Sequence, residues 1–372
     1  MGKRGCRMQS LKGKLTVIAG LAAVLILMML GISGLARSAR GEHARYREPD
    51  AEFAGQRYPY RQLDERGQKL YTALYQGISD YRTVIDLPGT YTAEEYRKVY
   101  LLLTTQEPEL FYLDTVYETA DQMRRTEMFY TMPKSEAERM RSQMAAAADG
   151  IIRETAGARS DIQRLLLIHD RICAGCFYEK TPNADSAYGC LVEGMAMCEG
   201  YAKAFLYVAR RAGLDAMCVP GRTNRGEAHI WNIAGADGHY YNIDLTWDDD
   251  DTYDGRTAHT CFAVPDSMFQ DHMPDTDLME PPACADGKQM YYHMRGFYLT
   301  ESGRLCTALQ DWNGAVPERI IEFRCINETD FRQVKEALRT QADVHAVLAQ
   351  ICGGVMPRIV ADEKRSVIVI LT

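Results

Sequence analysis

Apolar residues recur at helical spacing over Ala202, Phe205, Leu206, Ala209 and Ala212, and Gly213 follows as a stop signal. This pattern predicts a helix that begins at or near Cys198. Two β-rich runs come next, His229–Ile233 and His239–Asp244, joined by the turn-forming Ala234-Gly235-Ala236-Asp237-Gly238. They predict an antiparallel hairpin. Pairing Ala234 with His239 sets His229 opposite Asp244, and opposed residues share a face of the sheet. A slip of one residue would separate them.

The rest of the chain carries coarser patterns. Leu63, Leu70, Leu74 and Ile78, then Tyr96, Val99, Tyr100 and Leu103, read as helices broken at Pro88-Gly89. Phe129–Met132 reads as a strand. Ser135–Gly150 reads as a helix with Ser135 as N-cap and Glu138 three residues on. Ser160–Ile172 places Ile162, Leu165, Leu166, His169 and Ile172 on or near one helical face. Toward the C-terminus, Gly296–Thr300 and Ile320–Cys325 read as strands, Asp330–Leu348 as a helix, and Arg358–Thr372 as a terminal hairpin or strand.

Leu15–Leu35 stands apart as an apolar run without a charge, long enough to span a bilayer. Lys3, Arg4, Arg7, Lys12 and Lys14 precede it. The pattern predicts a single-pass anchor with its basic end in the cytoplasm and the remaining chain outside. Cleavage after Ala36 would instead release a secreted protein.

These patterns divide the 372 residues into a basic tail (1–14), the anchor (15–35), a polar tether (36–60), a mostly helical region (61–155), a core (156–275) and a small α+β module (276–372). Charged content of 25% and apolar content of 46% are ordinary for a globular protein. The formal charge is −8, and residues 1–40 hold no Asp or Glu, so the remainder is more acidic still. No basic stripe suggests nucleic acid, and no motif specifies an oligomeric state.

Candidate chemistry lies in the core. A helix N-terminus has unpaired N–H groups and a partial positive charge, which suit an attacking sulfur at Cys198. Gly200 would leave the surface beside that sulfur bare. His229 would serve as base and Asp244 as the group that orients it. Trp231, Trp247 and the acidic run Asp248–Asp251 would wall and rim the cleft. His169 is a rival base, but its helical setting without an acidic strand partner suits a packing or hydrogen-bonding role better.

These residues resemble the bacterial transglutaminase-like proteins, relatives of papain-type cysteine peptidases. The similarity runs through Tyr188-Gly189, Leu191 and Gly194, then Cys198-Glu199-Gly200-Tyr201-Ala202-Lys203-Ala204-Phe205. Arg211-Ala212-Gly213, His229-Ile230-Trp231-Asn232 and Asp244-Leu245-Thr246-Trp247-Asp248-Asp249 continue it. His-Ile-Trp departs from a commoner His-Ala-Trp. Ile168-His169-Asp170, Asp271-His272 and the run Glu107–Tyr112 are similar too. The resemblance implies an α+β fold in which a nucleophile helix packs on an antiparallel sheet. It also implies a Cys198–His229–Asp244 triad acting on protein or peptide amides outside the cytoplasm, as a peptidase or a transglutaminase or deamidase. The alternative is an inactive module that binds peptides or cell-wall material. The backbone N–H of Cys198 is one oxyanion donor, and Tyr188 is a candidate for the second.

No cofactor or metal is expected. Cys173-x-x-Cys176 lacks the second ligand pair that zinc requires. Asp248–Gly255 fails the calcium-loop template because Cys261 stands where an acid is needed. The 11 cysteines cannot all pair.

Overall fold

The computed structural model describes residues 47–114, 120–249, 256–313, 320–355 and 357–371. Asp50 and Asp64 cap helices by accepting the backbone N–H of Phe53 and of Gly67. They open α1 (Ala51–Gly55) and, after the short α2 (Tyr58–Arg61), α3 (Glu65–Ser79). The stretch expected as a tether is therefore helical from Ala51 onward. Arg57 ties it down through two charge-assisted hydrogen bonds to Glu107, of 2.8 and 2.9 Å. Tyr71 and Arg210 share that buried carboxylate.

Pro88-Gly89 does not separate two helices as a loop. It lies within a strand, β1 (Val84–Tyr91), which precedes α4 (Ala93–Gln106) and its Thr92–Glu95 capping box. β1 pairs with β2 (Met123–Glu127), and a shift in register between Asp86 and Tyr91 accommodates the proline. The strand expected at Phe129–Met132 is reduced to a bridge between Leu113 and Tyr130. Next, α5 (Lys134–Glu154) starts after Pro133, whose φ of −65° fits a helix entry, so Ser135 sits inside the first turn rather than at the cap. Ser160 does cap α6 (Asp161–Gly175).

The short parallel pair β3 (Phe177–Tyr178) and β4 (Met195–Ala196) leads into α7 (Cys198–Arg211). Its predicted apolar spacing is the buried one, with Tyr201, Ala202, Phe205, Leu206 and Ala209 in the core. Burial of each large side chain contributes about 1.5–3 kcal/mol. α7 packs between α5 and α6 on one flank and β5 (Ala216–Thr223) and β6 (Ala228–Ala236) on the other.

β6 turns directly into β7 (His239–Ile243). The turn is two residues long, not five. Asp237 and Gly238 have φ of 53° and 79°, the left-handed values that a tight hairpin turn requires. Ala236 therefore pairs with His239 and Asn232 with Ile243, two residues from the register expected. An even slip preserves the face, so His229 and Asp244 stay on the same side.

A one-turn helix, α8 (Leu245–Asp248), follows, then β8 (Phe262–Val264) and β9 (His272–Pro274). The antiparallel sheet has the order β8-β7-β6-β5-β9. β9 pairs only with Gly221–Thr223 of β5, and Gln106, at the end of α4, bonds both backbone groups of Cys218 beyond it, at 2.7 and 3.2 Å.

The C-terminal part contains α9 (Tyr291–Arg295), β10 (Tyr298–Leu299), α10 (Leu305–Asn313) and β11 (Ile320–Cys325). The single helix expected over Asp330–Leu348 is two, α11 (Glu328–Thr340) and α12 (Ala342–Ile351). Gln341 breaks it with an extended backbone, and each half buries its own apolar set. The hairpin β12 (Arg358–Asp362) and β13 (Val367–Leu371) completes a second sheet, β10-β11-β13-β12. Glu322 on β11 joins this sheet to the core, because it accepts the backbone N–H of His259 at 2.9 Å and the hydroxyl of Tyr292 at 3.2 Å. Residues 47–372 thus form one compact unit with an α+β fold. Among the described residues no helix is long and apolar enough to cross a membrane, and Leu15–Leu35 lies outside them.

Candidate active site

Cys198 is the first residue of α7 and is half-buried. Met197 precedes it without a side-chain cap, so the first-turn N–H groups are not drawn off by a neighbouring side chain. Asn232 fixes the helix over the sheet. Its amide donates to the carbonyls of Ala202 at 3.0 Å and Met217 at 3.2 Å. β6 therefore holds both α7 and His229 and sets the distance between them.

Asp244 follows β7 and caps α8. Its Oδ1 accepts the N–H groups of Thr246 and Trp247, at 2.9 and 3.3 Å. Its Oδ2 lies 2.6 Å from Nε2 of His229. Burial works against a charge on His229. The Asp244 carboxylate and hydrogen bonds to Asp244 and Cys198 outweigh it and raise the imidazole to about 10. Burial likewise opposes the Asp244 charge, yet His229 and His272 hold that carboxyl well below its usual range. Elsewhere, burial pushes the thiols of Cys173, Cys218 and Cys325 up to about 12.

Two clefts meet at Cys198, Ala228 and His229. One, of about 820 Å³, runs past Tyr178 and Trp247 to the β12–β13 hairpin. The other, of about 860 Å³, runs past Thr105, Pro220 and Met273. The sulfur thus sits midway along an open groove.

Residues 146–245 match the family model of the transglutaminase-like superfamily. This stretch has a transglutaminase-like fold. It includes Cys198, His229 and Asp244. The chain is 28% identical over 170 residues to the kyphoscoliosis peptidases of Mus musculus and Homo sapiens, covering 38% of this chain and 26% of each relative. It therefore spans about a quarter of the length of the curated relatives it matches. Among solved structures it is similar to a TGase, at 12% identity over 36% of this chain and 43% of that one, with a TM-score of 0.28. It is also similar to the periplasmic domain of TgpA from Pseudomonas aeruginosa, at 18% identity over 35% of this chain and 57% of that one, with a TM-score of 0.24.

Several residues around Cys198 and His229 have roles other than those the sequence suggests. The Tyr188 hydroxyl donates to Gln143 at 3.1 Å, away from the groove, and the tyrosine beside Cys198 is Tyr178. Gly200 makes room for protein, not substrate, since a Cβ there would collide with the Ala184 carbonyl. Trp231 is buried behind the site with its indole N–H on Asn242, 3.2 Å away, whereas Trp247 does line the groove. Asp248 is not part of a solvated rim. It is fully buried and accepts the Thr260 hydroxyl and the Cys261 N–H, both at 2.9 Å, while Asp250 and Asp251 lie outside the described residues. Asp248 also lies 3.2 Å from Nε2 of His169, so His169 has an acidic partner after all and serves the buried hydrogen-bonding role expected.

Among the described residues, two groups bring metal-ligand atoms within 4.8 Å of one another, His169/Asp170/His259 and His229/Asp244/His272. Both ring nitrogens of His169, His259 and His272 already have carboxylate partners. Neither group needs an ion for its satisfaction. His272 is the residue the sequence reading left without a role, and its Nε2 lies 2.9 Å from Asp244 Oδ2.

Proposed function

We propose that this chain is a cysteine-dependent acyl-transfer enzyme acting on protein or peptide amides. The observation that carries the reading is the bridging position of His229. One nitrogen is 2.6 Å from Asp244, and His229 lines both arms of the groove together with Cys198, which leaves the other nitrogen for the sulfur. Cys198 attacks the amide carbonyl. The helix-terminal N–H of Cys198 faces the developing oxyanion. His229 protonates the leaving amine, and the C–N bond breaks to leave a thioester. Water, or an amine, then takes the acyl group and restores the thiol. A groove open on both sides of the sulfur suits an extended chain, which favours peptide or protein over a small enclosed ligand.

Incubating the full-length protein with a peptide mixture, with and without a primary amine, should give cleaved peptides, a deamidation mass shift or an amine adduct. Mass spectrometry distinguishes the three. Absence of all of them under reducing conditions rejects the enzyme in favour of the binding module.

The run Leu15–Leu35 supports a membrane-anchored enzyme with its groove outside the cytoplasm. Cell fractionation with protease shaving should find the core on membranes and digestible from outside. A core protected in the cytosol removes this part of the reading.

A further inference from the structure

An ionised carboxylate offers about four acceptor positions, and Asp244 fills them. Oδ1 takes the two backbone N–H groups of α8, and Oδ2 is shared by Nε2 of His229 and Nε2 of His272, at 2.6 and 2.9 Å. The second ring is fixed in turn. Its Nδ1 lies 2.9 Å from Asp271 Oδ1. Arg365 Nη2 spans both oxygens of Asp271, at 3.0 and 3.2 Å, and Lys364 adds a contact of 3.1 Å. Arg365 also pairs with Asp362 at 3.0 Å. Phe269 stacks on the His272 ring at 3.7 Å, and the Arg365 guanidinium lies over Phe269 and Trp247, 5.5 and 5.7 Å from their centres. A continuous line therefore runs from His229 through Asp244, His272 and Asp271 to the turn between β12 and β13.

We propose that His272, backed by Asp271 and Arg365, is a positioning residue for the Cys198 reaction, and that the C-terminal hairpin is part of the active site rather than an appended module. This rests on the acyl-transfer reading above. The physical argument concerns rotation. Without His272, one acceptor position of Asp244 opens, and the carboxylate can turn away from His229 or take a water. Either change loosens the imidazole that must face the sulfur. A misplacement of this kind lowers the rate of reaction at a reacting centre that is otherwise intact. His272 itself lines neither arm of the groove, so it acts only through Asp244.

A purely packing role is the competing explanation, because Trp231, Trp247 and Phe269 surround the ring. Two substitutions separate them. His272→Leu keeps apolar bulk and loses the donor. His272→Gln keeps an amide N–H that can reach Asp244. Packing favours leucine; positioning favours glutamine.

The test is iodoacetamide labelling of Cys198 in the full-length protein at pH 7, followed by mass spectrometry against time. Wild type should label Cys198 ahead of its other cysteines, and His229→Ala should slow this. His272→Leu should label about tenfold more slowly than wild type, and His272→Gln should recover most of the rate. Wild-type labelling in His272→Leu, or glutamine no faster than leucine, overturns the proposal. If His272→Leu does not fold, Arg365→Met and Arg365→Lys replace it: methionine should slow labelling and lysine restore it, and equal rates overturn the proposal. If Cys198 labels no faster than the other cysteines and His229→Ala changes nothing, the acyl-transfer reading itself has failed and this inference falls with it. Responsive His229→Ala with unresponsive His272 and Arg365 variants removes the inference alone.

Discussion

Cys198→Ala is expected to lower amide turnover by about 10⁴- to 10⁶-fold, the loss found when a nucleophile that works with a base is removed. Among the described residues no other cysteine lines the groove. Cys173 is buried against His169 and the Leu245 carbonyl, and Cys218 is fully buried beneath α7. Neither lines the groove at His229. Cys198 is only half-buried, so the alanine variant should fold, with a stability change within about 1 kcal/mol. Peptide binding should survive, because the groove walls are untouched. The comparison is product formation by mass spectrometry against peptide affinity measured in the same variant. Turnover above a tenth of wild type in a folded Cys198→Ala would remove Cys198 from the chemistry.

The elements that carry this site were legible because their signals are local. The apolar spacing from Ala202 to Ala212 specified α7 and put Cys198 at its start. The β-rich runs specify the hairpin, although its observed register lies two residues from the expected one. Asp237-Gly238 itself carries the observed register, since an Asp-Gly pair signals a two-residue turn. The difference does not separate His229 from Asp244 because side chains alternate with a period of two. What was not legible depends on distant pairings. Asp248 looked like a solvated acid until the fold brought His169 and Thr260 against it. His272 acquires its meaning only when β9 lies beside β5 and the terminal hairpin delivers Arg365. Tyr188 sits near Cys198 in the sequence, yet its hydroxyl turns to α5.

Asp244→Asn should lower turnover by about 10²- to 10⁴-fold and change the pH dependence of what remains. The asparagine can still cap α8 through its oxygen, so the local backbone should hold. It also presents an N–H where the ring expects an acceptor, which turns the His229 hydrogen bond to the wrong nitrogen or breaks it. The charge effect has a definite sign. In the wild type, burial disfavours the imidazolium, but Asp244 and Cys198 raise His229 to about 10. The ring therefore keeps the proton that the leaving amine needs through neutral pH, and turnover should fall only as the pH rises toward 10. Removing the carboxylate leaves burial less opposed, so the alkaline limb should move down toward the ordinary imidazole value of 6.5. Linkage gives a second readout. A group raised on folding contributes stability in full below 6.5 and loses it as the pH rises through about 10. Wild-type melting temperatures should therefore decline across that interval more than those of Asp244→Asn. Turnover and melting measured from pH 6 to 10 in both proteins decide the matter. An alkaline limb that stays in place in the variant would show that Asp244 does not hold the charge on His229.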